Sequence, residues 1–176
     1  MPFHGTVTQN RGLLRLKAMI TATGVMDNDA VYRSYSQELT RYATGLVGPF
    51  DAPDVVTDAC LKAFEARTWP DVQDRRAYLY KTVLTVANDH HRRTLARRLR
   101  EMKAAGRDTM PDPTASVDLE VLDAISRLSV QQRASVFLTY WEDLAPDVVA
   151  QRMGVSTGTV KRHLARARKR LGEWLS

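Results

Sequence analysis

The sequence predicts an all-α protein: two small helical domains joined by a flexible linker. Three observations lead to that expectation. Apolar residues recur at steps of three and four along most of the 176-residue chain, and no stretch of useful length alternates as a strand does. Residues 104–117, AAGRDTMPDPTASV, combine Gly, Pro and small polar residues, which is a linker composition. Positive charge gathers in two places, one on each side of that segment, while the rest of the chain is neutral or acidic.

Composition narrows the class. Apolar residues make up 44 % and charged residues 26 %, ordinary values for a soluble globular protein. The single cysteine, Cys60, excludes an internal disulfide and a Cys-based zinc site within one chain, and this fits a reducing cytoplasm. No run approaches 18 apolar residues; the nearest, GLLRLKAMITATGVM, contains Arg15 and Lys17, so neither a membrane span nor a secretion signal is expected. The net charge is +6, and His90–Arg107 alone holds seven Lys/Arg against Glu101. Ser156–Arg170 adds six more positive charges with no acid among them. Two such segments form an electrostatic footprint for a polyanion, phosphate backbones being the commonest kind.

Taken in order, residues 1–28 have weak periodicity and several Gly, and are expected to form a loosely ordered extension. The first helix follows from Asp29, with Val31, Tyr35, Leu39, Tyr42 and Leu46 at helical spacing, and Gly48-Pro49 ends it. DAPDVVTDACLKAFEAR then places Val55, Ala59, Ala63 and Val56, Cys60, Phe64 on one side, with Asp51, Asp54, Asp58 and Glu65 elsewhere. That describes an amphipathic, acidic helix. TWPDVQDR is a loop by its Pro and Asp content. After it, RRAYLYKTVLTVANDHHRRTLARRLREM runs helical for many turns, passing from an apolar face (Tyr78, Leu79, Val83, Val86, Ala87) to dense positive charge.

The second unit begins at Asp118 with two amphipathic helices, DLEVLDAISRL and SVQQRASVFLTYWEDL, the latter capped by Ser129. Phe137, Tyr140 and Trp141 are expected in its core. Pro146 fits the first helical position of PDVVAQRM. Gly154 supplies a turn, Ser156 caps the final helix, and Val160, Leu164, Ala167 and Leu171 form that helix's buried stripe. This is a helix-turn-helix, and Lys161, Arg162, Arg166 and Lys169 must face away from the stripe. Thr157 and Thr159 lie at the helix N-terminus, where hydroxyls and free N–H groups hold phosphate. Lys and Arg there are suited to guanine O6 and N7 in a major groove.

The stretch LSVQQRASVFLTYWEDLAPDVVAQRMGVSTGTVKRHLARARKRL resembles region 4 of bacterial RNA polymerase sigma factors. DAPDVVTDACLKAFEA followed by RAYLYKTVLTVANDHHRR resembles region 2 of their extracytoplasmic-function group. The two resemblances, in this order, cover about residues 29–172. They imply region 2 over 29–103, a linker over 104–117 and region 4 over 118–176.

The resemblance further implies a transcription initiation factor without catalysis of its own. It would bind core RNA polymerase, through the β′ clamp helices and the β subunit, together with promoter DNA. An anti-sigma factor is a common restraint in the family. Polymerase contacts would fall on Asp51, Asp54, Val55 and Asp58, with Pro53 departing from the usual acid. The minus-10 element would meet Trp69, Asp71, Tyr78, Asn88, Asp89, Arg92 and Arg93, with Tyr78 where the family often has Trp. The minus-35 element would meet Thr157, Thr159, Lys161, Arg162 and Arg166, with His163 a weaker match. Ala145 replaces the usual Ser or Thr ahead of the motif's first helix.

A stand-alone helix-turn-helix regulator is the competing reading, but it gives no role to the acidic helix or to the long first half. Trp69 is open between a base contact and a packing residue. Cys60 lies on an apolar face and reads as core. Adjacent His90-His91 do not share a helical face and have no suitably spaced partner for a metal, and no cofactor motif appears.

Overall fold

The computed structural model describes residues 28–105 and 117–174, and every regular element among them is helical. Residues 1–27 and 106–116, which include most of the expected extension and linker, lie outside the described residues. The first half comprises α1 (Asn28–Val47), α2 (Ala52–Glu65), a 3-10 turn (Trp69–Asp71) and the long α3 (Arg75–Ala105). The second comprises α4 (Val117–Ser126), α5 (Val130–Val136), a π-helical turn (Phe137–Trp141), α6 (Pro146–Met153) and α7 (Thr157–Trp174).

In the first half the local signals act as their chemistry dictates. Gly48, at φ +91°, turns the chain out of α1, and Pro53 sits in the first turn of α2, where no N–H is required. Asp74 starts α3, its Oδ1 accepting the Ala77 N–H at 2.8 Å. The three helices bury Leu39, Tyr42, Leu46, Val55, Cys60, Leu79 and Val83 in one core. Burial pushes the Cys60 thiol up to about 12, so it remains protonated and unreactive.

Trp69, left open by the sequence, is a packing residue at 5 % exposure. Its Nε1–H donates to Asn28 Oδ1 at 2.9 Å, and its ring lies 5.2 Å from Phe64 and 5.7 Å from Tyr78. An indole enclosed in this way, with its one donor satisfied, supports the loop and does not reach from it. The candidate minus-10 contact at Trp69 is therefore corrected to a positioning role.

The second half departs from expectation at one place. Ser129 caps α5 in a full capping box with Gln132. The helix then widens at Phe137–Trp141, where the Glu142 N–H reaches the Phe137 carbonyl at 3.1 Å. The wide turn changes the phase of the side chains. Leu138 becomes the buried residue, and Tyr140 and Trp141, expected in the core, are 59 % and 78 % exposed. Phe137 is partly buried and stacks on Trp141 at 6.4 Å.

Beyond this turn, Ala145 precedes α6 with no side-chain cap, leaving an N-terminal amide of that helix unserved by a hydroxyl. Ala145→Ser is expected to stabilise the protein by about 1 kcal/mol, seen as a rise of about 2–4 °C in the thermal midpoint. Gly154 ends α6 at φ +66°, and Val160, Leu164 and Ala167 of α7 are buried as the stripe requires.

The two halves pack against each other. Residues of α1 and α3 face α5, the π-turn and α6, and the core runs continuously through the contact. Phe137 lies over Gly45, where a Cβ would come within 2.7 Å of its ring, and sits 5.9 Å from Tyr42. Arg152, 8 % exposed, places its guanidinium 4.4 Å from the Tyr80 ring. At the rim, the Gln151 Nε2–H donates to Asp74 Oδ2 at 2.8 Å and Arg41 pairs with Glu142 at 3.9 Å. Arg152 Nη1 and the Tyr42 hydroxyl are buried there without a partner. Each such group opposes closure by about 1–3 kcal/mol, so aromatic packing holds the halves together against a polar cost.

Candidate nucleic-acid interface

The recognition surface is built on α7. Ser156 Oγ accepts the Thr159 N–H at 3.2 Å and lies 2.9 Å from Thr159 Oγ1, closing the helix N-terminus. Arg162 Nη2–H donates to Thr159 Oγ1 at 3.1 Å, which holds its guanidinium along the first turn. Thr157 and Thr159 are half-buried at this end, and Lys161, Arg162 and Arg166 are exposed. Lys161 and Arg166 have no ion-pair partner among the described residues. The first acid on α7 is Glu173, which pairs with Lys169 at 3.9 Å. Arg170 is turned back into its own domain, on Gln132 at 3.2 Å.

His163 is the side chain of this helix that faces partly inward. Burial, then Arg166 and Arg162, hold its imidazole below the ordinary histidine value, so it stays neutral while the outer face is fully charged. The outer face is thus a compact set of donors backed by a rigid apolar stripe, the arrangement a major groove admits.

On α3, Asn88 and Asp89 are half-buried and Arg92 and Arg93 exposed; Arg92 Nη2 meets Asp89 Oδ1 at 2.8 Å. Tyr78, half-buried, lies one turn inside the helix start, and Asp71 is exposed on the 3-10 turn. Tyr78 lies 5.7 Å from the Trp69 ring that supports the loop, and Asp74, between that loop and α3, is engaged by Gln151.

The acidic helix presents Asp54 and Asp58 to solvent, with Asp51 half-buried and 3.7 Å from His90 Nε2. Burial, then Asp58 and Asp51, hold the Asp54 carboxyl above its ordinary value. Crowded carboxylates of this kind favour a cationic partner. Val55 does not join them: at 2 % exposure it anchors α2 in the core, so the candidate polymerase contact there is corrected to a packing residue.

Sequence reasoning missed the groups that tie the halves together, among them Gln151, Arg152, Asp74 and Phe137. Arg152 carried one signal, a charge on the apolar side of α6, but its partner Tyr80 lies 72 positions away in the chain, beyond the reach of any local pattern.

Residues 31–98 match the Sigma-70 region 2 family model and residues 118–171 match Sigma-70, region 4. The chain is 30 % identical over 162 residues to an RNA polymerase sigma-E factor of Streptomyces antibioticus, covering 86 % of each chain. It is 32 % identical over 154 residues to the ECF RNA polymerase sigma factor SigM of Mycobacterium tuberculosis, covering 84 % of this chain and 76 % of that one. In fold it is similar to the sigma factor RpoE of Bartonella quintana, solved with the anti-sigma factor NepR. That match has a TM-score of 0.56 and 24 % identity, over 86 % of this chain and 98 % of that one.

A two-domain helical protein with a polyanion-reading helix-turn-helix is the class that fold and surface define. The chain belongs to the sigma-70 family of RNA polymerase sigma factors, within its extracytoplasmic-function group. Its function is to direct core RNA polymerase to promoters in transcription initiation, and the stand-alone regulator reading is set aside. No helix among the described residues is long and apolar enough to cross a membrane.

Proposed function

We propose that α7 reads the minus-35 element through Lys161, Arg162 and Arg166, with Thr157 and Thr159 holding an adjacent phosphate. The first half meets the opened minus-10 strand through Asp71, Tyr78, Asn88, Asp89, Arg92 and Arg93, where backbone charge and base stacking supply the attraction. The acidic side of α2, through Asp51, Asp54 and Asp58, docks on the β′ clamp helices, and region 4 engages the β subunit. The factor does no chemistry itself and works in the cytoplasm, at the nucleoid when active. By analogy with the Bartonella quintana complex, an anti-sigma factor restrains it.

The observation that carries this reading is the pairing of two cationic surfaces on separate halves with an acidic face that stays exposed when the halves are packed together. Geometry then requires opening. A compact chain of 176 residues has a radius of gyration of about 16 Å. The two promoter elements lie about 25 base pairs apart, about 80 Å along B-DNA. The 11 residues from 106 to 116 reach about 40 Å when extended, enough to carry the halves apart. The α2 acids are accessible before opening, so polymerase docking through α2 precedes promoter engagement.

Run-off transcription with core polymerase tests the assignment. Arg92→Ala is expected to lower initiation in proportion to dependence on the minus-10 element, whatever the minus-35 sequence. Equal losses at both elements, or no association with core polymerase, would overturn it.

A further inference from the structure

A cleft of about 270 Å³ opens where the two halves meet. It is lined on one side by Asp51 and by His91, Thr94 and Arg98 of α3, and on the other by Arg133 of α5. Arg98 and Arg133 have no carboxylate partner among the described residues, and Arg133 Nε is buried without any hydrogen-bond acceptor. The one acid on the wall, Asp51, is turned to His90 at 3.7 Å. Two arginines from different domains thus line one cavity, outnumbering Asp51, the one carboxylate among its described lining residues, an arrangement that favours a multiply charged anion offering several acceptors.

The helical register separates this cleft from the promoter surface. At 100° per residue, His91, Thr94 and Arg98 fall on one face of α3, while Asp89, Arg92 and Arg93 lie about 130–170° around the axis and Asn88 about 90°. The volume suits a small ligand and excludes a duplex.

We propose that this cleft is a binding site for a small phosphorylated anion, of the diphosphate class, held between Arg98 and Arg133. Because each half contributes one guanidinium, the ligand binds the closed arrangement and strengthens it by mass action. The imidazole of His91 reports occupancy. Its proton affinity is held down by burial, then by Arg133, Arg98 and His90, and a bound anion offsets the cationic part of that effect.

Calorimetric titration of the full-length chain with inorganic pyrophosphate, at fixed ionic strength with sulfate as reference, tests the site. The expected result is saturable one-to-one binding, weakened at least tenfold by Arg133→Met or Arg98→Ala and within twofold of wild type in Arg93→Ala. Proton NMR of the wild type should show the His91 titration moving to higher pH on saturation, a readout that does not depend on any variant folding. The proposal is overturned if pyrophosphate binds no better than sulfate, if Arg93→Ala causes the loss, or if the His91 titration stays in place. Displacement of pyrophosphate by a single-stranded oligonucleotide, with the same dependence on Arg98 and Arg133, would overturn the small-anion assignment.

Discussion

Arg166→Ala is expected to weaken recognition of the upstream promoter element by about 1–3 kcal/mol, a loss of roughly fivefold to 150-fold, if the guanidinium makes a bidentate contact to a base. The reason lies in the side chain's surroundings. Arg166 is exposed, has no ion-pair partner among the described residues, and projects from a helix whose opposite face is fixed by Val160, Leu164 and Ala167. Nothing in the fold competes for its donors, so truncation removes a contact to DNA without leaving a buried group unsatisfied. Stability should be unchanged within about 0.5 kcal/mol, as for surface positions generally. Transcription from promoters that differ only in the minus-35 sequence checks the prediction: the variant should lose discrimination there and keep it at minus-10. Lys161→Ala should produce a smaller, less base-specific loss, because an ammonium acts as a point charge where a guanidinium acts as a fork.

Gly45→Leu is expected to separate the two halves while each stays folded. The Cβ alone would stand 2.7 Å from Phe137 Cδ2, well inside van der Waals contact, and the rest of the side chain would occupy the place of the ring. Phe137 is the aromatic link from the second half to Tyr42, and the unpartnered Arg152 Nη1 and Tyr42 hydroxyl already favour release. The radius of gyration from small-angle scattering should rise from about 16 Å to roughly 20 Å or more. Separated halves also no longer hold Gln151 on Asp74, so the variant should engage an opened minus-10 strand faster than the wild type. An unchanged radius with intact helicity would show that the contact tolerates the leucine and that Phe137 does not govern closure.

Much of this protein is written in local pattern. The period of Leu39, Tyr42 and Leu46, the Pro53 start of α2, the Ser129–Gln132 capping box and the left-handed Gly154 each depend on neighbours within four or five positions. The stripe on α7 follows from the same arithmetic, and with it the outward direction of Lys161, Arg162 and Arg166. Trp69 was open to two readings, and Val55 and Trp141 depart from expectation, for a shared reason. Burial of a large side chain depends on which distant surface meets it: Trp69 finds Asn28 from the far end of α1, and Trp141 is displaced by a π-turn that no spacing rule announces.

The sequence by itself determined the helices, their polar and apolar faces, and the two concentrations of positive charge, because these depend on backbone period and on side chains close in the chain. Only the tertiary structure decided that the halves close on each other through Phe137 and Arg152, that Val55 and Trp69 are structural, and that Arg98 and Arg133 share one cleft. Those outcomes are set by packing between residues 35 to 95 positions apart, where shape and desolvation choose the partner and composition does not.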